Sequence, residues 1–171
     1  MGKYLIAGPP GSGKSSVIIE LKSRGFSAYD TDSHPGATRL QDKNGNNVPW
    51  PSGTIDWEKY EWNWQSDVIN KLLISSPDVF LGGITTRNKE MYRLFDKIFV
   101  ISINDEIQTQ RLLGRKNKDY GKHPDQLAGE LIYRPKLYAE FARLDNSSQI
   151  DGTLSITKIT DKILEETGLI S

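Results

Sequence analysis

Residues 8–15 read Gly8-Pro9-Pro10-Gly11-Ser12-Gly13-Lys14-Ser15, a full match to the phosphate-binding loop pattern G-x-x-x-x-G-K-[ST]. Few motifs constrain a chain more, because this one works only between a strand and a helix. Both flanks comply: the apolar run Tyr4-Leu5-Ile6-Ala7 precedes it, and Val17-Ile18-Ile19-Glu20-Leu21 continues as a helix. A glycine-rich turn in that setting aims several backbone N–H groups at one point, and the helix dipole adds positive charge there. A triphosphate chain is therefore expected on Gly8, Pro9, Pro10, Gly11, Ser12, Gly13, Lys14, Ser15 and Ser16. Lys14 can reach its β- and γ-phosphates, and the Ser15 hydroxyl can ligate Mg²⁺. The expected ligands are thus ATP and Mg²⁺.

Beyond the loop, short apolar runs alternate with longer amphipathic ones, the mark of an α/β chain with a parallel sheet. Strands are expected over 3–7, 26–30, 79–81, 97–103 and 149–151. Helices are expected over 14–24, 56–75, 88–94, 105–114, 124–144 and 155–167. Gly25 closes the first helix as a C′ glycine does, and Ser155 is a candidate N-cap for the last. The stretch 33–55, rich in glycine, proline and asparagine, reads as irregular; loops of that length are usually functional. A chain of 171 residues fits one domain.

Lysine plus arginine equals aspartate plus glutamate at 22 each, so formal charge is zero. Nucleic acid is then not expected as the main partner, because such domains carry a basic excess. With no cysteine, disulfides and thiolate metal sites are excluded. No signal peptide or membrane-length apolar run is recognised, so a cytoplasmic protein is expected.

A phosphate loop alone does not separate motors, switches, transporter ATPases and small kinases. In many of these, the strand beside the loop ends in an aspartate for the Mg²⁺ shell. Here that strand, Val79-Phe80-Leu81, runs into Gly82-Gly83-Ile84 without a carboxylate. The acids stand instead at the end of the second strand, as Asp30-Thr31-Asp32. Strand side chains two apart point the same way, so both would face the crevice at the carboxyl ends of the strands. Asp30 can then assist the metal while Asp32 takes a proton from an attacking hydroxyl.

These features together resemble the small P-loop kinases of the shikimate kinase and gluconate kinase group. The resemblance implies a three-layer P-loop fold with a five-stranded parallel sheet in order 2-3-1-4-5 and a mobile lid. Leu81-Gly82-Gly83 is similar to the glycine turn lining the acceptor pocket of shikimate kinases, which makes Gly82 and Gly83 expected acceptor contacts. Arg111-Leu112-Leu113-Gly114-Arg115 stands where the group opens its lid, here residues 115–126. Arg134-Pro135-Lys136-Leu137-Tyr138-Ala139-Glu140 is similar to the segment whose arginine binds the substrate carboxylate. Ile150-Asp151-Gly152-Thr153 looks like the final strand and adenine-side loop, so Arg111 and Asp151 are expected on the nucleotide. The acceptor-binding region 33–64 departs from shikimate kinases and lacks their second substrate arginine. Arg39 and Arg87 are the arginines nearby, and neither has that setting.

Phosphoryl transfer needs positive charge near the moving group, and Arg115, Lys116, Lys118 and Lys122 can bring it from a closing lid. Trp57, Tyr60, Trp64 and Val68 fall at helical spacing and read as core. Trp50 and Trp62 lie off that stripe and are the better candidates for stacking on an acceptor. His34 and His123 read as surface residues, with His34 a weaker candidate acceptor contact. The expected reaction is transfer of the ATP γ-phosphate to a hydroxyl of a small metabolite, by a monomer or homodimer. Two alternatives stay open: a nucleoside, nucleotide or nucleic-acid 5′-hydroxyl kinase, and a nucleotide-binding ATPase or switch.

Overall fold

The computed structural model describes residues 1–51, 55–116 and 118–170. Residues 52–54 of the expected irregular region and Asn117 of the expected lid lie outside them. In chain order the elements are β1 (Gly2–Ala7), α1 (Lys14–Ser23), β2 (Ser27–Asp30), β3 (Thr38–Asp42), β4 (Tyr60–Trp64) and α2 (Ser66–Leu73). Then come β5 (Asp78–Gly82), a 3₁₀ helix (Lys89–Leu94), β6 (Lys97–Ser102), α3 (Asp105–Leu113), α4 (Pro124–Phe141), β7 (Ser147–Asp151) and α5 (Ile156–Glu166).

Five strands pair in parallel in the spatial order β2-β5-β1-β6-β7. Numbered along the chain, that is 2-3-1-4-5, as the resemblance implied. Leu5, Ile6, Phe99 and Val100 are buried on both faces of the sheet, which is why β1 and β6 read as unbroken apolar runs. Their side chains enter two cores. On one side Leu5, Leu81 and Val100 meet Ile69, Leu137 and Phe141 from α2 and α4. On the other, Ile6, Phe80 and Phe99 meet Ile18 and Leu21 of α1 and Ile159 and Ile163 of α5. A helix–sheet–helix sandwich follows, with the loop after β1 at its carboxyl edge.

The expected helix over 56–75 does not form over its first half. Residues 60–64 are not helical but form β4, antiparallel to β3, with Leu40 opposite Trp62 and Thr38 opposite Trp64. The sequence Tyr-Glu-Trp-Asn-Trp alternates aromatic and polar residues, a period-2 signal that competes with the period near 3.6 of Trp57, Tyr60, Trp64 and Val68. Pairing with Thr38–Asp42 decides the contest, and the helix starts later, at Ser66. The stretch 33–55 accordingly contains a strand and a tight turn. There the Asp42 carboxylate accepts from the Asn44 and Asn46 amides, both at 2.9 Å. Trp64 is fully buried, as expected of a core residue, whereas Trp57 is 40% exposed.

The end of β5 needs glycine for packing. Gly83 has φ +151°, and a Cβ there would lie 2.0 Å from Thr31 Oγ1. Gly83→Ala is expected to destabilise the fold by about 2–4 kcal/mol, combining the unfavourable φ with overpacking of a buried hydroxyl. Urea unfolding of the purified variant measures this; an unchanged midpoint would mean that Thr31 can move aside freely.

Candidate nucleotide and acceptor site

The phosphate loop is shaped by three glycines that L side chains cannot easily replace: Gly8 (φ +151°), Gly11 (φ +87°) and Gly13 (φ +104°). Helix α1 starts directly behind it, with no side-chain cap and no acid in its first turn, so its leading N–H groups are left for an anion. Ser12 Oγ is buried without a hydrogen-bond partner among the described residues. Lys14 Nζ turns back to donate to the carbonyls of Gly8 (2.7 Å) and Pro9 (3.0 Å). A donor-rich nest, an orphaned hydroxyl and an ammonium held on carbonyls fit a phosphate chain.

The loop is braced from α3. Arg111 donates to the carbonyls of Gly11 (3.3 Å) and Ser12 (3.2 Å), and to that of Gly152 at 2.8 Å. It therefore ties the loop to the turn after β7, where the Asp151 carboxylate accepts from the Thr153 amide and hydroxyl. Gln108, fully buried, donates to Pro10 O at 3.0 Å.

The paired acids are brought to the loop. Strand pairing continues past β2, because the Thr31 amide donates to Gly82 O at 2.8 Å. Thr31 points inward: its hydroxyl donates to Gly82 O and accepts from Trp64 Nε1. The chain then turns, with the Ser33 and His34 amides donating to Asp30 O and the Asp32 amide donating to Asp30 Oδ1 at 3.0 Å. Ser15 Oγ donates to Asp30 Oδ2 at 2.5 Å, placing two hard oxygen donors side by side, the donor set Mg²⁺ prefers. Asp32 Oδ1 accepts from Trp62 Nε1 at 2.9 Å. Solvent still touches Asp32, yet the protein crowded around it raises its carboxyl above the usual range. Lys14, the Trp62 hydrogen bond and Lys118 oppose that rise, while Asp30 adds to it.

Just beyond α3, burial pulls Arg115 below its ordinary value, with Glu130, Asp32 and Tyr120 opposing. Glu130 itself, on α4, is buried and has its carboxyl raised by that burial; Tyr120, Lys14 and Arg115 act against the rise. Tyr120 OH donates to Glu130 Oε1 at 2.5 Å. The Tyr120 ring meets Trp50 edge-on at 6.1 Å and Trp57 at 6.5 Å, and Trp50 meets Trp62 at 5.6 Å. Trp50 and Trp62, singled out by sequence, thus lie together. Tyr120 and Glu130 carried no sequence signal of their own.

Four expected contacts stand in different settings. Arg134 is buried on α4, with its guanidinium ion-paired to Asp105 and donating to Gln108 Oε1 at 3.2 Å. That leaves it linking α4 to α3 rather than free to meet a substrate carboxylate. A Cβ at Gly82 would lie 2.6 Å from Ile18, and one at Gly83 would strike Thr31, so close packing accounts for both glycines. The His34 ring packs edge-on against Tyr29 at 5.7 Å. His123 caps α4, and Lys122 pairs with Asp119 at 3.1 Å. No helix among the described residues is long and apolar enough to cross a membrane.

No protein-family model matches the sequence, and no curated protein is recognisably similar to it. Solved structures are similar in fold. A gluconokinase from Sinorhizobium meliloti 1021 superposes with a TM-score of 0.60 at 17% identity, covering 98% of this chain and 91% of its own. A shikimate kinase from Acinetobacter baumannii gives 0.61 at 20% identity, covering 98% and 93%. A deoxyadenosine kinase from M. mycoides gives 0.55 at 12% identity, covering 98% and 100%. The fold of this chain is that of the small P-loop kinases.

Proposed function

We propose that the chain is an ATP-dependent phosphotransferase that moves the γ-phosphate to a hydroxyl of a small metabolite. The observation that carries this is the meeting of Ser15 with Asp30 while Asp32, two residues on, lies within electrostatic reach of Lys14. An ATPase needs the first half of that arrangement; a second carboxylate within electrostatic reach of the phosphate lysine suits a hydroxyl nucleophile. The structural neighbours support the same class of chemistry, being kinases by name.

In this reading the loop amides and Lys14 hold the triphosphate, and Ser15 and Asp30 hold the metal directly or through water. Mg²⁺ supplies charge neutralisation on the phosphate oxygens. Asp32 orients the acceptor hydroxyl and takes its proton as the new O–P bond forms and the bond to the ADP oxygen breaks. Trp62 fixes the Asp32 carboxylate through its indole N–H, and Arg115 balances charge on the transferring group. Arg111 keeps the loop in shape from behind. The test is a screen of hydroxyl metabolites for a phosphorylated product and stoichiometric ADP. ADP formed at one rate whatever is added would instead favour a nucleotide-hydrolysing switch.

A further inference from the structure

Asp32 stands in the turn after β2, where no strand pairing fixes its side chain. Lys14 of α1, Asp30 of β2, and Arg115 and Lys118 from the stretch after α3 act on it electrostatically. Such forces change the charge on a carboxylate but give it no set direction; a hydrogen bond does. Among the described residues, the hydrogen bond on the Asp32 carboxylate comes from Trp62 Nε1 at 2.9 Å. Whatever aims Trp62 therefore aims Asp32. The Trp62 ring meets Trp50 edge-on, but Trp50 is itself 52% exposed, so ring contact is a loose guide.

The main chain of Trp62 is held far more firmly, and by one residue. Trp62 N donates to Thr86 Oγ1 at 2.9 Å, Thr86 N donates to Trp62 O at 2.9 Å, and Thr86 Oγ1 donates to the same oxygen at 3.3 Å. Two residues on, Trp64 N donates to Thr85 Oγ1 at 3.2 Å, and Asn88 Nδ2 donates to Trp64 O at 3.0 Å. Residues 85–88 are not a strand, yet they satisfy backbone groups of β4 that β3 does not. They are anchored in turn by buried Tyr92, whose hydroxyl accepts from Thr85 N at 3.0 Å and donates to Thr85 O at 2.9 Å. This clamp leaves β5 directly beyond Gly82 and Gly83, so it ties the hairpin to the edge of the sheet where the phosphate loop lies. Threonine suits the position because branching at Cβ stiffens χ1 and so fixes the direction of the hydroxyl.

We propose that Thr86 is a positioning residue for phosphoryl transfer: holding Trp62 by both its amide and its carbonyl, it aims the indole N–H at Asp32. The proposal rests on the kinase reading above and adds the residue that sets the direction of the base. Thr86 touches neither nucleotide nor acceptor in this scheme; it acts through Trp62.

The test begins without any acceptor, on the indole N–H resonances of the ¹⁵N-labelled full chain, one for each of its four tryptophans and assigned by Trp→Phe variants. The Trp62 resonance is expected to move as Asp32 is protonated, and Asp32→Asn is expected to abolish that titration. Thr86→Val keeps the shape of threonine without its hydroxyl. In it the Trp62 resonance is expected to shift toward that of a free indole and to titrate with smaller amplitude. The Trp64 resonance, whose N–H is bonded to buried Thr31, is expected to stay in place and so to report an intact fold. Thr86→Ser is expected to restore the Trp62 signal. With MgATP and the acceptor found in the metabolite screen, Thr86→Val should lower kcat about threefold to tenfold, with the KM for MgATP unchanged. Trp62→Phe should lower it about tenfold or more, and the double variant no further, because both changes interrupt one chain of bonds.

A Trp62 resonance unchanged in Thr86→Val, or one that moves only together with that of Trp64, overturns the proposal and leaves the kinase reading standing. So does an unchanged kcat, a loss that Thr86→Ser does not restore, or a double variant in which the two losses multiply. Should Thr86→Val not fold, Thr86→Ala is read in the same way, and failure of both to fold makes Thr86 a structural brace. No product from any metabolite overturns the kinase reading, and with it the role of the clamp in transfer, even where the spectra change as expected.

Discussion

Lys14→Met is expected to lower phosphoryl transfer by about 10³-fold or more while leaving the fold at least as stable as before. The two halves of this result come from one cause. Burial among the loop carbonyls lowers the Lys14 pKa, and Arg115 lowers it further; Asp32, Asp30 and Glu130 only partly offset this. A cation whose charged form is disfavoured by the folded protein costs stability at neutral pH, and methionine of similar length removes that cost. Gly8 O and Pro9 O lose a donor, but under-satisfied carbonyls are tolerated better than orphaned N–H groups. Activity and denaturant midpoint should therefore move in opposite directions, or activity alone should fall. Loss of both together would recast Lys14 as a structural brace of the loop.

How much of this site could be read from the chain depends on how local each signal is. The phosphate loop spans eight consecutive residues whose roles follow from their spacing, and Asp30 and Asp32 are separated by a single position. Strand alternation is the reason to expect both on one side; the Thr31 amide keeps one strand bond, to Gly82 O, and the chain turns directly after it. The hairpin was illegible for a definable reason. Trp57, Tyr60, Trp64 and Val68 satisfy a helical period while Tyr60, Trp62 and Trp64 satisfy a strand period. The partner that breaks the tie, Thr38–Asp42, stands some twenty residues earlier in the register.

Arg134 illustrates a different difficulty. Glu130 and Arg134 are four apart on α4, a spacing that ordinarily suggests a pair on one helix face. Instead, Arg134 reaches α3, meeting Asp105 and Gln108, and Glu130 reaches Tyr120 in the segment before α4. Periodicity says which residues share a helix surface; it does not say which distant group competes for them. The group around Asp32 is assembled from such long-range choices, through Trp62 from the hairpin, Tyr120 from the segment before α4 and Glu130 from α4. The glycine-rich loop is assembled mostly from neighbours in sequence, with Arg111 and Gln108 added behind it.

The division of labour between the two aspartates gives the other large effect. Asp32→Asn keeps a side-chain oxygen for the Trp62 indole N–H, which now lies 2.9 Å from Oδ1, so geometry should survive the change. What disappears is the capacity to take the hydroxyl proton and the negative charge facing Lys14. A fall in kcat of about 10² to 10⁴ is expected, with acceptor KM altered only severalfold. Raising Mg²⁺ should not restore it. Asp30→Asn differs in kind: it weakens the oxygen pair made with Ser15 Oγ, so the Mg²⁺ needed for half-maximal rate should rise about tenfold, with rate recovering at high metal. Metal titrations of both variants at saturating ATP separate the roles, since one defect yields to magnesium and the other does not. If Asp32→Asn recovered with metal and Asp30→Asn did not, the roles would have to be exchanged. If neither affected kcat, the hydroxyl's proton would leave by a route that avoids both acids, and Thr31 would be aligning them for something other than transfer.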